Sequence, residues 1–174
     1  MIIIIRLLIL ISFSGVLPLL AQSKSSLRYL DYPQSIFDMD TCCWRVLTAN
    51  EAYAEAAKMI EGYLLQHQPI ENPLSLHWHL GQMLAMADQY KEAKVHFKKT
   101  YNVLYSWFGG SDGKAWYYYA KGTVAFLDRD KEKFIRLLAK WPSDSLHEKN
   151  YNRMQELLFY WELTYREACE TVRP

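Results

Sequence analysis

Apolar side chains recur at three- and four-residue steps along most of this chain. Within residues 51–67 they are Tyr53, Ala56, Ala57, Ile60, Tyr63 and Leu64, set among strong helix formers. That period is the one a helix with one buried face imposes. Pro69 and Pro73 end this stretch and begin the next, since proline suits a first turn but not a helix interior. The same spacing predicts helices over 74–87, 89–104, 114–127 and 131–140. Ahead of them, Cys43, Trp44 and Leu47 predict a helix ending near Thr48, with Asp38 or Asp40 as its N-cap. Behind them, Asp144 or Ser145 caps a long final helix that reaches about Cys169. The run FGGSDG at 108–113 reads as the clearest break, because its glycines offer freedom that a helix would waste. The turn at 128–130 and the Trp141-Pro142 stop separate the later helices. No run alternates in the manner of a strand.

The helices group into pairs, and the pairs repeat. Gly81 recurs as Gly122, 41 residues on, each followed by a small or apolar run and a polar turn. In the middle pair, Leu80-Gly81 lie in the first helix, Tyr90 at the turn, and Ala93 and Phe97 in the second helix. This set resembles the tetratricopeptide-type family of helical repeats, with Leu84 at the family's usual tyrosine position and His77 where an aromatic is usual. The first pair follows with Tyr53, Ala56 and Ile60, but Trp44 stands in the glycine position. The third keeps Tyr118 and Gly122 and replaces the contact alanine by Phe134, which would widen the helix crossing. The resemblance spans about residues 40–141. It implies an all-α fold of antiparallel helical hairpins, stacked as a short right-handed superhelix with a long C-terminal capping helix. A non-repeat helical bundle is the alternative.

In that family the first helix of each pair lines a concave face. The resemblance therefore implies a partner groove of Ser75, Trp78, Gln82 and Met86 in the middle unit, and Trp116, Tyr119, Thr123 and Phe126 in the third. Aromatic and methionine side chains suit such a groove because they bury large area at small ordering cost. The same residues could instead pack against the last helix.

The N-terminus changes the expected compartment. Residues 1–21 are almost wholly apolar with one charge, Arg6. They read as a secretory signal cut after Ala21, or as a retained anchor of about membrane-spanning length. Export implies a periplasmic or extracellular protein, with membrane contact only if the segment is retained. Residues 22–37 read as a leader and 38–174 as one helical domain. Of 20 basic residues only Arg6 falls in the signal, so 19 basic face 19 acidic residues beyond it. That neutral balance argues against general nucleic-acid affinity. Half of the residues are apolar, with 13 Tyr and 6 Trp, which excludes a disordered tail.

Catalytic patterns are missing from the linear sequence. His67, His77, His79, His96 and His147 include no H-E-x-x-H pair, and His77 and His79 point to different sides of one helix. Each reads as structural or solvent-exposed. The segment GGSDG has no phosphate-loop lysine spacing, and Asp128, Asp130 and Glu132 lack the glycine and terminal glutamate of a calcium loop. Glu156 and Glu162 have no acidic partner at catalytic spacing. Lys91, Lys94, Lys98 and Lys99 read as a solvated face. Cys42, Cys43 and Cys169 show no C-x-x-C spacing; adjacent Cys42 and Cys43 are not expected to bridge each other, and the three read as small buried hydrophobes, or as one of that pair bridged to Cys169. The expectation is an exported, non-enzymatic scaffold for a protein or peptide, without cofactor or metal. A structural or membrane-associated assembly factor without a groove is the second reading, and an enzyme with a site assembled across helices the third.

Overall fold

The computed structural model describes residues 28–171. The signal or anchor expected over 1–21 lies outside the described residues. Among these, every regular element is a helix. A 3-10 turn (Arg28–Asp31) precedes α1 (Gln34–Phe37), α2 (Cys43–Ala49), α3 (Tyr53–Gln66), α4 (Pro73–Met86) and α5 (Tyr90–Lys99). Then follow α6 (Val103–Phe108), α7 (Gly110–Leu127), α8 (Lys131–Leu138), α9 (Glu148–Phe159) and α10 (Tyr165–Glu170).

Three hairpins, α2–α3, α4–α5 and α7–α8, stack in chain order, with α3 against α4 and α5 against α7. This is a helical-repeat arrangement. Its period is fixed by the turns. Glu51, Asp88 and Arg129 each adopt a left-handed backbone, with φ of 58°, 60° and 58°. In each turn the next residue's N–H reaches back five residues: Ala52 to the Leu47 carbonyl at 2.9 Å, Gln89 to Leu84 at 2.8 Å and Asp130 to Ala125 at 2.9 Å. These bonds satisfy helix-end carbonyls that would otherwise be orphaned. A left-handed residue other than glycine costs about 1–2 kcal/mol, so the same conformation three times marks one recurring device.

In that register Trp44, Gly81 and Gly122 are equivalent, as are Ala56, Ala93 and Phe134. Gly81 lets Phe97 lie against the α4 backbone: a Cβ there would meet the ring at 2.8 Å. Ala56 and Ala93 are fully buried at the same kind of crossing. Phe134 is fully buried too, with its ring 6.4 Å from Phe126 and 5.3 Å from Trp161. A Cβ on Gly122 would land on Met154 of α9, so in the third unit the space above the glycine belongs to α9.

Several expected boundaries move. FGGSDG is no linker: the break shrinks to Gly109, and α7 runs on from Gly110, whose φ is +59°. Gly109 and Gly113 are there for closeness. A Cβ on either would lie within 2.7 Å of the Tyr105 carbonyl oxygen, so α6 folds tightly onto the start of α7. The helix expected over 89–104 stops at Lys99, and α6 begins anew with the Asn102 side chain accepting from Leu104 N–H at 2.9 Å. Neither Asp38 nor Asp40 caps α2; Asp38 instead accepts from Gln34 and from the Trp44 indole at 2.9 Å. Asp144 and Ser145 do not cap α9 but tie the preceding loop to α7, through Ser111 and Asp112.

The single long final helix is also two. The chain breaks after Phe159, and Thr164 opens α10 with a reciprocal capping box: its hydroxyl accepts from Glu167 N–H at 3.2 Å while Glu167 accepts from Thr164 N–H at 2.8 Å. Arg129 donates to the carbonyls of Trp161 and Leu163 across the break. α10 then crosses back to α4. Arg166 donates to the Met86 carbonyl, and the Tyr53 hydroxyl donates to Glu170 Oε1 at 2.7 Å.

The leader also has structure. Gln34, buried, exchanges two hydrogen bonds with the Asn72 backbone, at 3.1 and 2.8 Å, and Asn72 caps α4 through Ser75 N–H at 3.0 Å. Residues 28–37 are thereby fixed to the hairpin stack.

Candidate functional site

The helices α2, α4, α7 and α9 face a common depression of about 400 Å³, and α10 closes one side of it. Its floor is aromatic. Trp78 is nearly buried, its ring centroid 4.8 Å from Trp116, 5.0 Å from Tyr119 and 4.7 Å from Phe97. The Trp116 indole is fixed by donation to the Thr100 carbonyl at 2.8 Å.

Each wall comes from a different element. From α2, Trp44 lies 4.9 Å from the His79 ring, and the Arg45 guanidinium sits 4.2 Å over the Trp44 ring. Thr48 donates to Met83 Sδ at 3.1 Å. From α4, His79 pairs with Gln82 Oε1 at 3.1 Å, and burial holds its imidazole below the usual histidine range. From α9 come Asn150 and Arg153, and from α10 Tyr165 and Cys169. Burial also raises the phenols of Tyr119 and Tyr165 above their ordinary value, so both stay neutral donors.

The lining carries two guanidinium groups and no carboxylate. Three acids stand outside the lining: Asp38, which accepts from the Trp44 indole at 2.9 Å and acts on His79, and Asp40 and Glu156 beside the two arginines. Arg45 Nε is 3.8 Å from Asp40, whose side chain is 92% exposed. Arg153 Nη1 is 3.0 Å from Glu156, without the alignment of a hydrogen bond. Both nitrogens are buried and have no hydrogen-bond partner.

Five of the eight groove residues expected from sequence meet here: Trp78, Gln82, Met86, Trp116 and Tyr119. Ser75 lies in an adjoining depression with Asn72, Leu74 and Tyr105, and Trp78 and Trp116 line both. Thr123 and Phe126 line neither depression. Thr123 is fully buried and donates to the Tyr119 carbonyl at 3.0 Å. Phe126 packs against Phe134, Trp161 and Tyr165. The cause is the bend at 160–164, which covers the last turn of α7. Sequence reasoning missed Trp44, Arg45 and His79 because their helix pairs gave no partner across the stack. It missed Arg153 and Tyr165 because α9 and α10 were read as one external cap.

The other expected chemistry distributes elsewhere. His77 and His96 pair with each other away from the cavity. Lys94 pairs with Asp128, so that part of the basic stretch is not merely solvated. Cys42 and Cys43 are bonded to each other, S–S 2.27 Å, and all three cysteines are half-buried, which corrects their reading as buried hydrophobes or as a bridge to Cys169. Among the described residues no group of three or more His, Cys, Asp or Glu could hold a metal, and no helix is long and apolar enough to cross a membrane. No family model matches the chain, and no curated protein or solved structure matches it significantly; the chemistry of this face is read from its own residues.

Proposed function

We propose that this protein is an exported, non-catalytic scaffold that binds a protein or peptide on the face where α2, α4 and α7 meet, and that its hairpins form a right-handed, tetratricopeptide-like superhelix. The observation that supports it best is the Trp78–Trp116 pair, which is shared by two adjoining depressions. Neighbouring pockets with a common aromatic floor suit successive side chains of one extended partner. The fold-back of α10 shortens the face, so the partner enters from the Ser75 side.

The test is capture of soluble proteins from the compartment of export by the purified protein and by a blocked variant, Ser75→Arg with Gln82→Trp. Both positions are half-buried, so the substitutions obstruct the face without hollowing the core. A partner held by the wild type and lost by a variant of unchanged helicity is expected. Capture that survives the block rejects this face.

A second reading, an assembly factor without a groove, is favoured by one observation. On α6, Trp107 is 66% exposed and Phe108 81% exposed, an apolar step on the outer surface. A partner that survives the groove block but is lost by Trp107→Ser with Phe108→Ser would select it.

A further inference from the structure

We propose that the depression between α2, α4, α7 and α9 is a binding site for a small organic anion: a carboxylate on a flat apolar body, with Arg45 and Arg153 taking the carboxylate and the tryptophans the body. Three observations converge on it.

The first is charge. Arg45 and Arg153 line the cavity from separate helices, and no acidic side chain lines it with them. Asp40 and Glu156 pair with the same guanidinium groups from outside, at 3.8 and 3.0 Å, and neither gives the buried Arg45 Nε or Arg153 Nη1 an aligned hydrogen bond. A buried donor without an acceptor is costly, and a carboxylate is the acceptor that guanidinium geometry fits best, in two parallel bonds.

The second is shape. Trp44, Trp78 and Trp116 supply apolar lining, and Gln82 and Asn150 supply neutral polar atoms. Apolar walls with a few convergent polar groups are the usual composition of a small-molecule pocket.

The third is size and closure. About 400 Å³ falls within the metabolite range of roughly 300–1,000 Å³. α10 seals one side through Arg166 on the Met86 carbonyl and Tyr53 on Glu170, which gives the cavity a closed end.

This inference does not rest on the protein-partner reading. The experiment is titration calorimetry of the full chain with naphthalene-2-carboxylate and with its neutral isostere, naphthalene-2-carboxamide. The carboxylate is expected to bind at least tenfold more tightly. Arg45→Gln and Arg153→Gln should each reduce carboxylate affinity about tenfold and leave the amide unchanged. Equal binding of the two probes, binding of neither, or a preference that survives the double arginine variant overturns the proposal. If the arginine variants lose helicity, the carboxylate-against-amide contrast on the unaltered protein decides alone. No probe binding by a protein that still captures a partner on this face sinks the anion site only. Anion binding by a protein without a groove-dependent partner sinks the scaffold reading only.

Discussion

His77 and His96 face each other across the α4–α5 crossing with their Nδ1 atoms 3.1 Å apart. One proton fits between them, so one ring donates and the other accepts. Burial, the Lys99 charge and His96 hold the His77 imidazole down at about 4, and burial and Lys99 lower His96. The unfolded chain therefore binds protons that the folded chain does not, between about pH 6.5 and 4. Stability is complete above about pH 6.5 and falls as the pH drops toward 4. His77→Gln should flatten that part of the profile. Urea midpoints at pH 7, 5.5 and 4 for both proteins check it; equal slopes would remove the pair as the cause.

Gly81→Ala should destabilise the fold by about 1–3 kcal/mol, the usual cost of overpacking. The added methyl would meet the fully buried Phe97 ring at 2.8 Å. Gly62→Ala makes the contrast. Its methyl would meet only the Tyr29 hydroxyl, the far end of a side chain able to swing away. There the helix-propensity gain of up to about 1 kcal/mol should dominate. Denaturant midpoints of the two variants should move in opposite directions.

Arg129→Met should release the bend at 160–164. The guanidinium donates to both the Trp161 and Leu163 carbonyls and lies 4.9 Å over the Phe126 ring. Loss of such a charged, two-point contact costs about 1.5–3 kcal/mol. Limited proteolysis should show earlier cleavage near 159–164, and Arg129→Lys should rescue only part of it, since an ammonium lacks the planar fork.

Thr164→Ala should cost about 0.5–2 kcal/mol by removing the hydroxyl half of the capping box. Thr164→Ser should be close to wild type. Thermal unfolding followed by circular dichroism distinguishes them, and an unchanged midpoint for the alanine variant would show that packing alone holds α10.

The helices were legible where one chain segment supplied both the pattern and its partner. Leu80, Ala93 and Phe97 are buried at the α4–α5 crossing, as their spacing required. Gly109 and Gly113 misled because glycine signals freedom in a sequence, whereas here both give way to the Tyr105 carbonyl. Thr164 and Glu167 form a capping box inside the stretch read as one final helix, and that reading passed over the bend. That error hid the side of the cavity built by α9 and α10. Arg45 and Arg153 are 108 residues apart in the chain, and only the fold-back of the last two helices explains why they line one cavity.

The Tyr53–Glu170 hydrogen bond joins residues 117 apart in sequence. Linear repeat arrays have independent ends, so they can fray or begin folding at either one. Here the last helix is fastened to the first hairpin, like a bracelet with its clasp shut. Unfolding of either end must open the clasp, which makes loss of structure a single cooperative event and not a progressive unzipping. During synthesis the clasp cannot close until α10 has been made, so the cavity stays open on that side while the helices before it are already in place.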